Sequence, residues 1–263
     1  MIRPALPRWV AVPAAAAAVF LAVPLLAMLV RVPWVRLPAL LATPAALDAL
    51  GLSLRTCVLT TAVSLVLGLP LALVLSRGRG RWASFGRILA TVPMVLPPVV
   101  AGLALLVALG RRTWLGGTLA SAGIDLAFTT AAVVVAQTFV AMPYLVVSVE
   151  GALRSARDRY DVVAATLGAR PTTVLRRVTL PLVAPAIGSG AALSFARALG
   201  EFGATITFAG SLQGTTRTLP LEIYLQREVD TDTAIALSVV LVAIAALLVA
   251  ATARLGRTGS VPS

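Results

Sequence analysis

The chain has 263 residues, 59% of them hydrophobic and 12% charged, with a formal net charge of +12. An ordinary soluble domain carries about twice that charged share, so this composition calls for several membrane spans rather than a water-facing globule. All 22 basic residues are arginine, histidine is absent and Cys57 is the single cysteine; this excludes Ser-His-Asp and Cys-His catalytic centres and argues against zinc, haem or iron–sulfur ligation.

A first apolar stretch runs over about 10–30, after Arg3 and Arg8. The basic start and the alanine run at 14–18 would also suit a secretion signal, but the stretch exceeds the 7–15 residues of a signal core and reads as an uncleaved span. A second span is expected over about 52–75. The loop SRGRGRWASFGR follows, with Arg77, Arg79, Arg81 and Arg87. The third, over 88–109, contains TVPMVLPPVVAG, and its prolines require backbone partners from neighbouring helices inside a bundle. A fourth is expected over 127–149, a fifth over 183–209 and a sixth over 234–253.

Between the fourth and fifth spans lies a charged island, 150–181. It holds six arginines (154, 157, 159, 170, 176, 177) and three acids, Glu150, Asp158 and Asp161. Tyr160, Val163, Ala164 and Leu167 fall at i, i+3, i+4 and i+7, the apolar stripe of a short helix, and Gly168 stands where a glycine would end it. Pro171 permits a second short helix that continues through Val178 to a break at Leu180 and Pro181. Such a pair could dock a partner protein or lie on anionic headgroups; periodicity alone leaves both open.

The arginines set the orientation. With the N-terminus inside, the inner segments hold fourteen arginines and the outer ones seven, with Arg197 left inside a span. That predicts six spans with both termini cytoplasmic, the island facing the cytoplasm. The positive charge is then a topology signal and not a nucleic-acid footprint, since no basic patch is interleaved with aromatics.

The fifth span carries SFARALGEFGATITFAG. Ser194, Arg197, Glu201 and Thr205 follow helical spacing and predict one polar stripe, with Arg197 and Glu201 four apart and able to pair. Ionisable groups in a span face a bundle interior or a polar pathway, so the pair reads either as a structural lock or as part of a substrate path.

Two stretches carry a resemblance. DVVAATLGARPTTVLRRVTLP resembles the EAA loop of permease subunits of ATP-binding-cassette importers: Ala164, Gly168, Val178, Leu180 and Pro181 match in spacing. Val162 and Val163 stand at the Glu and first Ala positions, with Asp161 one place earlier. FARALGEFGA, TLPLEIY, VLPPVVAG and MPYLVVSVEGALRS are similar to permeases of the molybdate/tungstate importers and, more distantly, of the sulfate/thiosulfate ones. The resemblance implies an all-α polytopic membrane protein, with six transmembrane helices in a type I importer permease fold and one permease domain over 1–263. It implies that Asp161, Val163, Ala164, Leu167, Gly168, Ala169, Val178, Leu180 and Pro181 couple the chain to an ATPase. It also implies a second permease copy, external delivery by an oxyanion-binding protein, a place in the bacterial plasma membrane among its lipids, and an oxyanion cargo, most simply molybdate. Arg217 and Arg227 are weak candidate contacts at the outer face for the anion that this resemblance implies. The chain itself is expected to be no enzyme and to hold no cofactor: a Walker-type phosphate loop needs a lysine, and none is present, so ATP and Mg would bind a separate subunit. A secondary anion transporter or channel, with Arg197 and Glu201 as a relay, is the reading from another class.

Overall fold

The computed structural model describes residues 7–166 and 170–258, with the side chains of 8, 156–166 and 253–258 outside that description. Every regular element among the described residues is helical. Helix α1 (Ala11–Val30) is followed by the short α2 (Leu37–Leu41) and the long α3 (Pro44–Arg77). The Thr43 hydroxyl accepts from the Ala46 amide to cap α3, and Pro44 occupies its first position, where a missing N–H costs nothing. Helices α4 (Arg81–Val95) and α5 (Pro98–Leu109) meet at a bend of 117°. After α6 (Trp114–Ser121) comes α7 (Thr130–Thr166), the longest at 37 residues. Then follow α8 (Pro171–Val174), a π-helical turn (Leu175–Thr179), α9 (Leu180–Leu199), α10 (Gly203–Phe208), α11 (Leu219–Val229) and α12 (Thr231–Thr258).

Five helical runs among the described residues are long and apolar enough to cross a membrane, six if the bent α4–α5 pair is counted as one span. The stretch expected as one span over 88–109 is therefore two helices. The cause is local: Leu96 precedes Pro97 and Pro97 precedes Pro98, and each pre-proline residue is driven out of the helical region, to ψ 135° and 132°. The stretch expected over 183–209 is also divided. Helix α9 ends at Leu199, and Gly200 to Phe202 separate it from α10.

Helix α7 is the axis of the bundle, with over half of its most apolar window buried. Helix α3 turns inward a row of small residues at steps of three and four, Ala46, Ala49, Ser53, Thr56, Thr60, Ser64, Gly68 and Ala72, all buried; Ala46 and Ala49 pack with Leu219 of α11 and Leu237 of α12, whereas Thr60, Gly68 and Ala72 meet α7. Small side chains bring helix backbones close, which is how packing proceeds where lipid and protein are equally apolar. Gly68 shows it: a methyl group there would stand 3.1 Å from Met142 and from Leu145. Helix α1, by contrast, has no buried residue.

Polar contacts sort the connections into two ends. At one, Arg87 meets Glu150 at 2.6 Å, which puts the 76–87 loop beside the start of the island. At the other, Arg36 pairs with Asp232 (2.8 Å), Gln213 donates to Asp48 (3.1 Å) and Thr130 donates to the Thr215 carbonyl (2.9 Å). Successive spans therefore alternate in direction.

Candidate functional site

The charged island does not form two free-standing short helices. Its first half is the continuation of α7, whose backbone stays helical to Thr166, because nothing between Val149 and Thr166 breaks a helix. Asp161, Val163 and Ala164 lie on this extension, while Leu167, Gly168 and Ala169 lie outside the described residues. The second half is not interrupted at Leu180–Pro181 either: Pro171 to Leu199 is one helical run through the π turn. In that turn the Leu180 amide reaches back to the Leu175 carbonyl, five residues earlier. The wider ring makes room for Pro181, whose own ring would clash with the carbonyl four residues back in a regular helix. Val178 and Leu180 are half-buried and Pro181 is exposed, whereas Val174, Thr179 and Val183 are buried and hold the run to the bundle. On the outward side Thr172, Thr173, Arg176 and Arg177 line an open cleft of about 590 Å³. Island and helix core are thus joined by continuous helical backbone at both junctions.

The Arg197–Glu201 pair forms, with Nη1 2.7 Å from Oε2. It is a close charge contact and not an aligned hydrogen bond, because Oε2 has no donor directed at it. The four residues expected as one stripe do not share a helix, since Gly200 ends α9 and leaves Glu201 in the break. There Glu201 acts locally, its Oε1 accepting from the Ala204 amide at 2.7 Å to cap α10. Ser194, Glu201 and Thr205 are buried inside the chain, and only Arg197 keeps a partly open side chain, 26% exposed. The hydroxyls of Ser194 and Thr205 have no hydrogen-bond partner among the described residues.

A second polar node was not visible in the sequence. Gln137 of α7, 1% exposed, donates through Nε2 to the Ala198 carbonyl (3.2 Å) and accepts from the Thr60 hydroxyl at Oε1 (3.0 Å). One amide thereby joins α3, α7 and the last turn of α9 just before its break. Its only sequence signal is an amide within an apolar run.

The two broken spans lock together beyond their breaks. A methyl at Gly102 of α5 would stand 2.7 Å from Thr207 Cβ and 2.8 Å from the Ala204 carbonyl oxygen, and one at Gly203 would stand 2.6 Å from Pro98 Cβ. Around this contact Ala101, Leu105, Ala132, Val133, Ala136, Val140, Ala204 and Phe208 form a buried cluster.

At the same end, Arg217 is turned inward on its own loop. It donates to the Ser211 hydroxyl (3.2 Å) and carbonyl (3.3 Å) and lies 3.4 Å from the buried Glu222. Arg227 pairs with Glu228 at 2.6 Å and stacks over Tyr224, whose ring meets Phe202 in the α9–α10 break at 5.1 Å. Neither arginine is a free anion contact. Among the described residues no group of three or more acids or cysteines is placed to hold a metal ion.

Comparison with known proteins gives three findings. A family model described as "Binding-protein-dependent transport system inner membrane component" matches residues 64–257. Over 244 residues the chain is 60% identical to a molybdenum transport system permease protein of Mycobacterium tuberculosis, covering 93% of this chain and 92% of that one; the protein of the same name from Escherichia coli K12 is 39% identical over 67% of this chain and 78% of its own. Among solved structures, a chain of a bacterial alginate ABC transporter, determined with an alginate-bound periplasmic protein, superposes with a TM-score of 0.74 at 14% identity over 95% of this chain and 93% of its own.

Proposed function

The chain belongs to the family of binding-protein-dependent transport system inner membrane components, and from that premise we propose that it is the transmembrane subunit of an ATP-driven importer that carries molybdate into the cell. The observation that carries the substrate is the 60% identity, sustained over 93% of the chain, to a permease named for molybdenum transport. The chain is a transport component and not a hydrolase. Lacking lysine, it cannot build a phosphate loop, so ATP and its Mg act on a separate ATPase subunit.

Two copies of this chain form the permease, two ATPase subunits sit at the island, and an external oxyanion-binding protein delivers the anion to the opposite end. Both termini are cytoplasmic, supported by fourteen inner against seven outer arginines. The island then presents Asp161, Val163, Ala164, Leu167, Gly168 and Ala169, with Val178, Leu180 and Pro181 at its base, to the ATPase. Because α7 and the 171–199 run pass from island to bundle without a joint, movement of a docked ATPase tilts both helices directly. Their far ends bear on the two breaks, where the cavity switches between inward- and outward-facing. Of the residues expected to line the substrate path, Arg197 alone keeps an open side chain for it, while Ser194, Glu201 and Thr205 support the break from behind.

The test is uptake of radiolabelled molybdate by cells expressing the whole complex, in competition with tungstate and sulfate. Competition by molybdate and tungstate, with sulfate weak, is the expected result. Uptake suppressed equally by sulfate, or uptake without the ATPase subunit, overturns the reading.

A further inference from the structure

The island connects to the bundle at a third place. Arg87 of α4 and Glu150 of α7 meet at 2.6 Å (Nε to Oε1), with their side chains only 26% and 12% exposed. The same guanidinium donates through Nη2 to the carbonyls of Leu75 (2.8 Å) and Gly78 (3.2 Å), at the C-terminal end of α3. Arg154, one turn further along the island, approaches the same Glu150 oxygen at 3.1 Å. One side chain therefore straps α3, α4 and α7 where α7 leaves the bundle.

Helix α4 depends on this strap more than its neighbours do. Ala83 is its single buried residue, and Trp82, Phe85, Ile88, Leu89, Val92 and Val95 face outward. Its inward face is narrow, with Gly86, Ala90, Pro93 and Met94 half-buried and Ala90 against the α7 cluster, and the charged contact adds a directional hold between α4 and that helix. The far end of α4 is the Leu96–Pro97 break, beyond which α5 interlocks with α10. Movement of the island thus has a route from Glu150 through Arg87 and α4 to the first break, separate from the route through α9 to the second.

We infer that Arg87 and Glu150 are a positioning pair that transmits movement of the island to the broken α4–α5 span, so that both breaks shift together. This rests on the transport reading above. Glu150→Gln leaves an acceptor beside Arg87 and Arg87→Lys leaves a cation beside Glu150, so neither change strands a bare charge, and the fold should stand while the two breaks fall out of step.

The experiment uses the reconstituted importer with its ATPase and binding protein, and reads molybdate taken up per ATP hydrolysed. Glu150→Gln keeps the shape and removes the charge; Arg87→Lys keeps the charge but cannot hold Glu150 and both carbonyls together. Each should lower the ratio by about fivefold, the size expected of a coupling lesion, with ATPase co-purification and thermal midpoint retained. Arg111→Gln, which breaks the 2.7 Å pair with Asp125 at the opposite end, should leave the ratio unchanged. A wild-type ratio in both strap variants overturns the inference; so does a loss of assembly in both, which would make the pair only structural. A wild-type complex without ATP-driven molybdate uptake would instead refute the transport reading itself.

Discussion

Replacing Gly102 by alanine tests whether the two broken spans move as one block. The added methyl group would lie 2.7 Å from Thr207 Cβ, 2.8 Å from the Ala204 carbonyl oxygen and 2.9 Å from Ala204 Cα. Two of these neighbours are backbone atoms of α10 and cannot rotate away, so α5 and α10 must separate by about 0.6 Å to restore ordinary contact. Overpacking of that kind costs about 1–3 kcal/mol, which for a chain of this size lowers the thermal midpoint by roughly 3–10 °C. Gly188→Ala is the matched control, since nothing lies within 4 Å of its added methyl. The assay is thermal unfolding of the purified complex in detergent, followed by uptake in proteoliposomes. Gly102→Ala should lose both stability and uptake, and Gly188→Ala neither. A Gly102→Ala complex with an unchanged midpoint would refute backbone-to-backbone packing of α5 on α10.

Gln137→Leu removes the amide that joins Thr60 to the Ala198 carbonyl; at about 0.6 kcal/mol per interhelical hydrogen bond in a membrane, it should cost about 1–2 kcal/mol, read as a lower thermal midpoint. Glu201→Ala strips the cap from α10 and leaves Arg197 unpaired, a loss of about 3 kcal/mol. Glu201→Gln can still accept from the Ala204 amide and should lose less, so equal losses in the two variants would remove the capping role. Cys57 is fully buried and forms no disulfide: the native complex should resist maleimide, reacting only on denaturation, and rapid native labelling would contradict its packing against Ala141 of α7 and Ala198 and Leu199 of α9.

The features readable from residues alone are those set by one-dimensional rules. Apolar run length locates the helices, and the i, i+4 interval of Arg197 and Glu201 correctly implies their contact. What escapes is decided between segments. The third span divides because two consecutive residues precede prolines; the LPP string carries that signal, but prolines are equally compatible with a continuous helix packed inside a bundle. The polar stripe fails for a similar reason: helical spacing does not carry across Gly200, where the helix stops. A break at Leu180–Pro181 is the ordinary expectation because proline usually ends helices, and nothing in the local sequence announces a π turn that absorbs one. Gln137 and the Arg87 strap join residues 60 or more positions apart, a distance no periodicity spans.

The π turn at Leu175–Thr179 has a consequence for how this chain can vary. One residue of helix turns the side chains by about 100°, so the extra residue in the turn rotates everything before it relative to everything after it. The outward side at Thr172 and Arg176 is thereby set out of phase with the α9 face that packs on α7. Substitutions that suit a partner protein can accumulate on one segment without disturbing the packing register of the other. A deletion of a single residue within the turn would bring the two segments back into phase and aim the island's surface in a new direction, but it would also return the Pro181 ring to the carbonyl four residues back and so kink the run at that point.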